Sequence, residues 1–354
     1  TTGLDVLYSG GIKAQEWVAG MTKDLTWKPV ALPIPRLTDG LTPDEQIEFY
    51  SEYEAQDDLI LPEDFTYNVI ASWGDPVGDC RYGYNNDHIG FVESGVNQAY
   101  LVVNHENMDY DSLATYLETF PMVMGYALPD VLNKIKDNVI LDFSEMNDED
   151  PKKEMIKSIA LEGAADMGIS VISVERNNNG DWVRTFSEQD RRISVTQALK
   201  DPAKLSKSTG PASSVFRKQN KIGFDDGLLD KCIGSFWNCS GGTTPWGTVI
   251  SAEEWLDAHV IYPVKADGSS FPPTTMPFYT STFSGLGNIF ELAGNKYGWG
   301  VEIDPENKDD FGTKHTMLGR YRHEAFAFNC KEKQPLAVYA GDDTKGGHIY
   351  KMIS

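Results

Sequence analysis

Residues 99–107 read Ala-Tyr-Leu-Val-Val-Asn-His-Glu-Asn, and they indicate most clearly what kind of fold to expect. Ala99 to Asn104 has the β-branched and aromatic composition that is typical of a strand. The run then ends abruptly in His105 and Glu106, whose side chains can bind a metal ion or accept hydrogen bonds. A strand that stops at such side chains predicts a site built where strands end.

Short strands recur on both sides of this stretch, and turn-forming residues separate them. Phe65 to Trp73 is β-rich and ends at a Gly-Asp-Pro turn, and His88 to Glu93 is predicted to be the strand before residue 99. A hairpin is predicted from Ser170–Glu175 and Trp182–Phe186, joined by an Asn-Asn-Asn-Gly-Asp turn. Further strands are predicted at Thr248–Ala252, Val260–Val264, Trp299–Ile303, Ala325–Asn329, Leu336–Ala340 and His348–Met352.

This pattern predicts a mainly β chain, with residues 1–354 forming a single β-propeller domain that carries inserted helices. Residues 1–60 are interpreted as an N-terminal extension in which Thr42-Pro43-Asp44-Glu45 begins a helix. Residues 110–168 are interpreted as a helical insertion, and the polar, turn-rich residues 187–230 as a surface insertion. Helices within the first of these insertions are predicted at Asp111–Thr119, Val131–Lys136 and Pro151–Ala165.

The charge of the chain limits its partners. It has 31 Lys and Arg against 53 Asp and Glu, which gives a net charge of −22 at pH 7. Nucleic acids and anionic membranes carry charge of the same sign, so we expect neither as a partner. No apolar run approaches the roughly 20 residues that a membrane helix needs, so no membrane span is expected.

Cysteine positions and chain ends leave several questions open. The four cysteines, at 80, 232, 239 and 330, allow three pairings, of which Cys232 with Cys239 would close a small loop. The compartment therefore does not follow from the cysteines. Thr1-Thr2-Gly3 has no initiator Met, and Ile349 to Ser354 reads as an unfinished strand. We therefore expect a cleaved leader and a chain that continues further.

Four segments place acids, amides and histidines beside glycines at predicted strand ends. They are Gly83–His88, Val103–Asn107, Asn238–Thr248 followed by Glu253 and Glu254, and Gly319–Glu324 with Gly341–Asp343. Carboxylate oxygens suit calcium and ferric iron, and strands that converge on a propeller axis would bring such ends together. Arg322 supplies a forked donor for a phosphate oxygen beside the carboxylate of Glu324. Any one segment alone is more often a turn, whereas together they predict a site.

In their order along the chain and their residue patterns, these segments resemble the PhoX-type alkaline phosphatases, a family of secreted bacterial propeller enzymes. The matching phrases are Trp73–Pro76, Gly83–Asp87, Val103–Glu106, Asn238–Thr248 with Glu253–Glu254, Gly319–Glu324, and Gly341–Asp343 with Ile349–Lys351. The resemblance implies a six-bladed propeller with inserted helices. It also implies an axial site that holds two ferric ions and calcium ions around a bridging oxide, and hydrolysis of phosphomonoesters.

The same resemblance implies roles for individual residues. Arg322 would bind the phosphate, and Asn104 or His105 would orient Glu106. The implied metal ligands are Glu106, one or both of Glu253 and Glu254, Glu324, and Asp342 or Asp343.

Two positions depart from the family pattern. Val102 and Val103 stand where a cysteine ligand to iron is expected before the Asn-His-Glu phrase, and Ala252 stands where a cysteine often precedes the Glu-Glu pair. The calcium sites are therefore better supported than the iron pair, unless Cys80 or Cys239 reaches the site from elsewhere.

The sequence thus predicts a metal-dependent hydrolase that acts on small phosphate esters. The resemblance implies a periplasmic or extracellular protein that is exported in folded form with its leader removed. A second hypothesis is a catalytically silent calcium-binding propeller with an extracellular structural or adhesion role. A third is a propeller that acts on another phosphate ester, such as a diester or phytate. Protein partners and oligomeric state do not follow from the sequence.

Overall fold

A computed structural model describes residues 40–51, 58–62, 65–108, 140–273, 277–279 and 284–354. The chain divides into two compact units, Thr1–Val69 and Ile70–Ser354. The helices predicted at Asp111–Thr119 and Val131–Lys136 lie outside the described residues. So does most of the N-terminal extension predicted over residues 1–60.

The first unit contains one described helix, α1 (Pro43–Ser51), which begins where the sequence predicts it. The backbone N–H of Thr42 donates to Glu45 Oε2 at 2.7 Å, and the N–H of Glu45 donates to Thr42 Oγ1 at 3.3 Å. This reciprocal cap satisfies two amide donors that the first helical turn leaves free. The strand predicted over Phe65–Trp73 is wrong, because these residues are irregular and mostly exposed. Strand propensity stabilises a strand only where a partner strand and a core are available.

The second unit is mainly β with few helices, as the sequence predicts. Its strands are β1 (Pro76–Val77), β2 (Cys80–Arg81), β3 (Asn86–Gly95), β4 (Gln98–His105), β5 (Ile140–Leu141), β6 (Gly168–Arg176), β7 (Trp182–Arg184), β8 (Arg191–Ile193), β9 (Ser206–Thr209), β10 (Lys231–Cys232), β11 (Asn238–Thr243), β12 (Val249–Glu253), β13 (Phe278–Tyr279), β14 (Gly300–Ile303), β15 (Thr313–His315), β16 (His323–Asn329), β17 (Ala337–Asp342) and β18 (Ile349–Ile353). Its α-helices are α2 (Pro151–Asp166), α3 (Val195–Lys200), α4 (Pro211–Phe216) and α5 (Leu286–Ile289). Single 3₁₀ turns lie at Phe143–Glu145, Pro202–Lys204, Leu256–Ala258, Gly294–Lys296 and Thr316–Leu318.

Three larger sheets carry most of these strands. The first has the order β3-β4-β6-β7, with β8 also paired to β6, and the third has the order β16-β17-β18. The middle sheet has the order β10-β9-β15-β14-β12-β11, in which β9 and β15 run parallel and the other pairs antiparallel. Strands β1 and β2, and strands β5 and β13, form two-stranded sheets. No sheet closes into a barrel within the described residues, so the six-bladed propeller stays a prediction.

The middle sheet packs against both of the others, and strand β12 shows why. Successive side chains of a strand point to opposite faces of its sheet. Val249 accordingly lies in a buried cluster with Val102 and other residues of the first sheet, whereas Ile250 lies in a cluster with Phe326 and Val338 of the third sheet. Burying apolar side chains on both faces stabilises this three-layer stack.

Residues 187–230, predicted to form a surface insertion, are built into two of the sheets. Strand β8 pairs with β6, and β9 pairs with β15. The guanidinium of Arg192 in β8 is buried, and it donates to the carbonyl oxygens of Ala165 and Met167 and to Ser170 Oγ. The polar, basic composition of this segment therefore gave no sign that β8 is buried, because the carbonyl and hydroxyl acceptors of Arg192 lie outside the segment.

Most of the other predicted elements of the second unit agree with the structure. The predicted hairpin is confirmed by the pairing of β6 with β7, and the helix predicted at Pro151–Ala165 is confirmed as α2. The strand predicted at Val260–Val264 is wrong. In that segment only Val264 forms an isolated bridge, to Ser270.

Helix α2 leads into the first sheet through a tight corner at Gly168. Asp150 caps the helix by accepting a hydrogen bond from the N–H of Lys152, and Met167 leaves the helical conformation. Gly168 then has a φ of +100°, and a Cβ atom at this position would overlap the carbonyl oxygen of Ile193 in β8. Only glycine meets both requirements, the positive φ and the close approach.

We predict that Gly168→Ala destabilises the protein more than Gly180→Ala does. Gly180 has a similar φ of +93°, but nothing lies within 4 Å of its potential Cβ atom. The control should therefore lose only about 1–2 kcal/mol of unfolding free energy from backbone strain. Gly168→Ala should lose about 1–3 kcal/mol more from overlap in a packed corner. Denaturant unfolding of both variants measures the difference, and equal losses would show that the corner relaxes.

Candidate metal centre

Three antiparallel strand pairs, β3–β4, β11–β12 and β16–β17, begin with the same irregularity. Asn86 pairs with His105, and the next paired residues are Ile89 and Val103, so β3 holds one extra residue at this point. The equivalent first pairs of the other two are Asn238–Glu253 and His323–Asp342, each followed by the same register shift. An extra residue of this kind is a β-bulge, which turns a side chain in a new direction.

An acid or a cysteine directly follows every one of these six paired residues. We call these six residues the donor cluster: Asp87, Glu106, Cys239, Glu254, Glu324 and Asp343. Each strand pair supplies two members, one in the bulge and one just beyond the end of the partner strand. The repeated register therefore brings residues that are far apart in sequence to one place.

Cys239 lies at the middle of the donor cluster. Its Sγ atom is 3.3 Å from Asp87 Oδ2 and 3.8 Å from each carboxylate oxygen of Glu324. Donor atoms of Asp87, Glu106 and Cys239 all lie within 4.8 Å of one another, and so do those of Cys239, Glu254 and Glu324. The thiol thus belongs to both groups, either of which could hold a metal ion.

The crowding of acids shifts their pKa values upwards. Burial, a hydrogen bond with Asp343, and the charges of Glu324 and Glu106 raise the pKa of Glu254 to about 8. Burial, the charge of Asp87 and that of Glu324 raise the pKa of Glu106, and burial followed by the charge of Asp343 raises that of Glu324. Negative charge is therefore under-compensated here, and a bound cation would compensate it.

The same surroundings also raise the pKa of the Cys239 thiol. Burial, and then the charges of Glu254, Asp87 and Glu106, raise the pKa of Cys239 well above the ordinary value. A cation among these donors would favour the thiolate. Carboxylate oxygens suit calcium, and a thiolate beside carboxylates suits iron, so the donor set fits both metals that the sequence predicts.

Two asparagines hold members of the donor cluster in place. Asn85 Nδ2 donates to Glu106 Oε2 at 3.0 Å, and the N–H of Glu106 donates to the carbonyl oxygen of Asn85 at 3.1 Å. Asn104 is fully buried, and its Nδ2 donates to the carbonyl oxygens of Cys239 and Ser240 at 2.6 and 2.8 Å. Asn104 therefore positions the strand that carries Cys239. The residue that orients Glu106 is Asn85, whereas the sequence predicted Asn104 or His105 for that role.

Two predicted site residues make contacts other than the predicted ones. His105 is buried, and its Nε2 lies 2.7 Å from Ser170 Oγ of β6. Asp342 accepts a hydrogen bond from Thr344 Oγ1 at 2.8 Å. Both occupy the paired positions that precede a cluster residue, and neighbouring side chains of a strand point to opposite sides.

Glu253 is the third such residue, and its carboxylate is part of a buried ion pair. Glu253 Oε1 lies 2.6 Å from Lys314 Nζ, and both side chains are almost fully buried. Its Oε2 accepts hydrogen bonds from the backbone N–H groups of Gly298 and Trp299. Of the Glu253–Glu254 pair, the structure thus brings only Glu254 to the donor cluster.

Arg322 lies beside the donor cluster and is held by Asp257. Its Nε donates to Asp257 Oδ1 at 3.1 Å, and its Nη2 donates to Asp257 Oδ2 at 2.7 Å. This bidentate contact raises the pKa of Arg322, and the charges of Glu254 and Asp343 contribute to the same rise. The guanidinium also lies over the ring of Trp255, 5.4 Å from its centroid.

Sequence reasoning proposed Glu106, Glu254, Glu324 and Asp343, and these four residues lie together. It did not select Asp87 as a ligand, and it named Cys239 only beside Cys80 as a thiol that could reach the site from elsewhere. Val102 and Ala252, which replace the expected thiols, are buried core residues. The thiol comes instead from β11, and all four cysteines are free, so Cys232 and Cys239 form no loop. Strand register was needed to choose Cys239 over Cys80.

A mainly β fold with a cluster of carboxylates and a thiol at strand ends defines the class as a β protein with a candidate metal centre. The chain belongs to the alkaline phosphatase PhoX family, whose sequence model matches residues 49–354. The resemblance inferred from the motifs is therefore confirmed. No curated protein matches the chain.

A solved structure of Pseudomonas fluorescens PhoX in complex with vanadate, a transition state analogue, is similar in fold. The superposition has a TM-score of 0.55 at 24% sequence identity, and it covers 83% of this chain and 48% of that chain. The present chain therefore spans about half the length of that structure. Among the described residues, every helix is too short or too polar to traverse a lipid bilayer.

We predict that Glu253→Gln and Glu254→Gln have opposite consequences. Glu253→Gln leaves the buried ammonium of Lys314 without its counter-charge, and should lower the unfolding free energy by about 3 kcal/mol or more. Its metal content should stay unchanged. Glu254→Gln should retain stability in the metal-free protein and bind less metal. Chemical unfolding and metal analysis of both variants provide the check. Loss of metal in Glu253→Gln would show that Glu253 is a metal ligand after all.

We also predict that the metal-free protein loses stability as the pH rises. The folded-state pKa of Glu254 is about 8, above the ordinary value of 4.5. Folding therefore disfavours ionisation, and stability should fall between about pH 4.5 and pH 8. Bound metal should remove this dependence, since it favours the ionised carboxylate. Melting curves from pH 5 to pH 9, with a chelator or with calcium, measure the effect, and Glu254→Gln should flatten the chelator curve.

Proposed function

We propose that this chain hydrolyses phosphomonoesters as a metal-dependent PhoX-type phosphatase. The observation that carries the proposal is the donor cluster, in which three equivalent strand pairs bring five carboxylates and one thiol together next to Arg322. Membership of the alkaline phosphatase family indicates the reaction class. Small phosphate esters are the proposed substrates.

The donor cluster would hold the metal ions. Cys239, Asp87 and Glu106 form the group that suits iron, because it combines a thiol with carboxylates. Glu254, Glu324 and Asp343 offer the carboxylate oxygens that calcium prefers. When bound, such cations supply positive charge that stabilises the phosphoryl oxygens in the transition state.

The side chains around the cluster would bind and orient the substrate. Two nitrogens of Arg322 contact Asp257, and among the described residues the Nη1 edge of the guanidinium has no hydrogen-bond partner, so it can donate to phosphate oxygens. Asn85 and Asn104 fix Glu106 and the strand of Cys239 before any substrate arrives. Such support keeps ligands in place and lowers the cost of binding.

We further propose that the full fold is a six-bladed propeller and that the protein acts outside the cytoplasm. The three bulged strand pairs are what propeller blades would present to a common axis. The location rests on the resemblance to a secreted family. The charge of −22 is consistent with it, because a large net charge keeps an exported protein soluble.

The test measures iron and calcium per chain by elemental analysis and hydrolysis of p-nitrophenyl phosphate by the same preparation. We expect both metals, activity that a chelator abolishes, and at least about a tenfold loss of activity with loss of metal in Glu324→Gln. Glu93→Gln, an exposed glutamate at the other end of β3, is the matched control and should behave as wild type.

Each alternative outcome has a definite meaning. Calcium without iron or hydrolysis would support the silent calcium-binding protein over the phosphatase. Hydrolysis of a diester or phytate, with no cleavage of the monoester, would support the third hypothesis. Full metal content in Glu324→Gln would remove Glu324 from the ligand set.

A further inference from the structure

The bidentate contact between Asp257 and Arg322 joins two distant segments beside the donor cluster. Arg322 directly precedes strand β16, and Asp257 lies in the 3₁₀ turn that follows β12. The side chains are 29% and 37% exposed, so the pair borders solvent. A contact in such a place is accessible to a small ligand.

The guanidinium of Arg322 is fixed on two sides. The Nε and Nη2 atoms of Arg322 donate hydrogen bonds to Asp257, and the guanidinium lies over the ring of Trp255. The charges of Glu254 and Asp343 also favour its protonated form, which places these acids near it. Its Nη1 atom has no part in the contact with Asp257, and within the part of the chain that the structure describes it is available to an anion.

The loop that carries Asp257 is itself rigidly supported. The N–H of Glu254 donates to the carbonyl oxygen of Trp237 at 2.9 Å, and the Trp237 ring meets the Trp255 ring edge-on at 5.0 Å. The indole N–H of Trp237 also donates to buried His259. One short loop thus holds both a member of the donor cluster and the partner of Arg322.

We propose that Asp257 is a positioning residue that aligns Arg322 for phosphate binding at the donor cluster. This inference rests on the proposed function. Without a partner, a long and partly exposed arginine samples many rotamers, and ordering it on binding costs free energy. Asp257 and Trp255 restrict it beforehand, so that less ordering is needed when phosphate binds.

Asp257 also has a negative charge that opposes an incoming anion. Because both side chains are about one-third exposed, solvent screens that repulsion. We therefore expect positioning to outweigh repulsion. The sign of the effect distinguishes the two, since loss of Asp257 weakens phosphate binding in one case and strengthens it in the other.

The experiment compares Asp257→Ala, Asp257→Asn, Arg322→Ala and the double variant Asp257→Ala/Arg322→Ala. The inhibition constant of inorganic phosphate, KM and kcat are measured with metal content and melting temperature. Asp257→Ala should raise the inhibition constant by about fivefold or more with unchanged metal content. In the Arg322→Ala background the same change should have no further effect, and Asp257→Asn should restore part of the affinity.

Asp230→Ala is the matched control. Asp230 pairs with Arg217 at 2.9 Å and is 36% exposed, so its loss also removes an aspartate from a surface ion pair. It should leave the phosphate constant unchanged. An unchanged or lower inhibition constant in Asp257→Ala, or equal effects in both Arg322 backgrounds, would overturn the inference.

Failure of the proposed function gives a different result. If the metal-loaded wild type hydrolyses no phosphomonoester, phosphate binding by the same variants is measured calorimetrically. Weaker binding in Asp257→Ala that depends on Arg322 would still support the positioning role, although the reaction would be wrong. Absence of phosphate binding to the wild type would overturn both.

Discussion

The site depends on one constraint, the register of three antiparallel strand pairs at their first hydrogen-bonded residues. In each pair a single extra residue interrupts the ladder on the first strand, whereas neighbouring side chains at the end of the partner strand point in opposite directions. This alternation sends Glu254 to the donor cluster and Glu253 to Lys314. A shift of one residue in any pair would exchange these roles and bury an acid without a partner.

The distribution of charge follows from that geometry. On the inner side of the strand ends, acids crowd together and the pKa of Glu254 rises to about 8. On the other side, Glu253 meets a lysine with similarly low exposure. Buried negative charge is therefore compensated in two ways. Glu253 is neutralised by a lysine of the same chain, whereas the acids of the donor cluster would be neutralised by an external cation.

The sequence predicted the mainly β fold, the helix over Pro151–Ala165 and four of the six cluster residues, because local patterns encode these features. It could not separate Glu254 from Glu253 or Asp343 from Asp342, since adjacent acids look alike until the register is known. For a related reason it could not choose between Cys80 and Cys239 as the source of a thiol, because only the register shows that Cys239 lies among the acids. Residues 187–230 were predicted to form a surface insertion because the carbonyl partners of the buried Arg192 lie outside that segment and could not be recognised from it.

The equivalence of the three strand pairs separates the placement of the donors from their chemistry. The bulge positions carry Asp87, Cys239 and Glu324, which are a short carboxylate, a thiol and a long carboxylate on the same backbone arrangement. Evolution can therefore alter one donor without rebuilding the others. A single substitution at one of these three positions would therefore change the donor chemistry while the strand register stays the same.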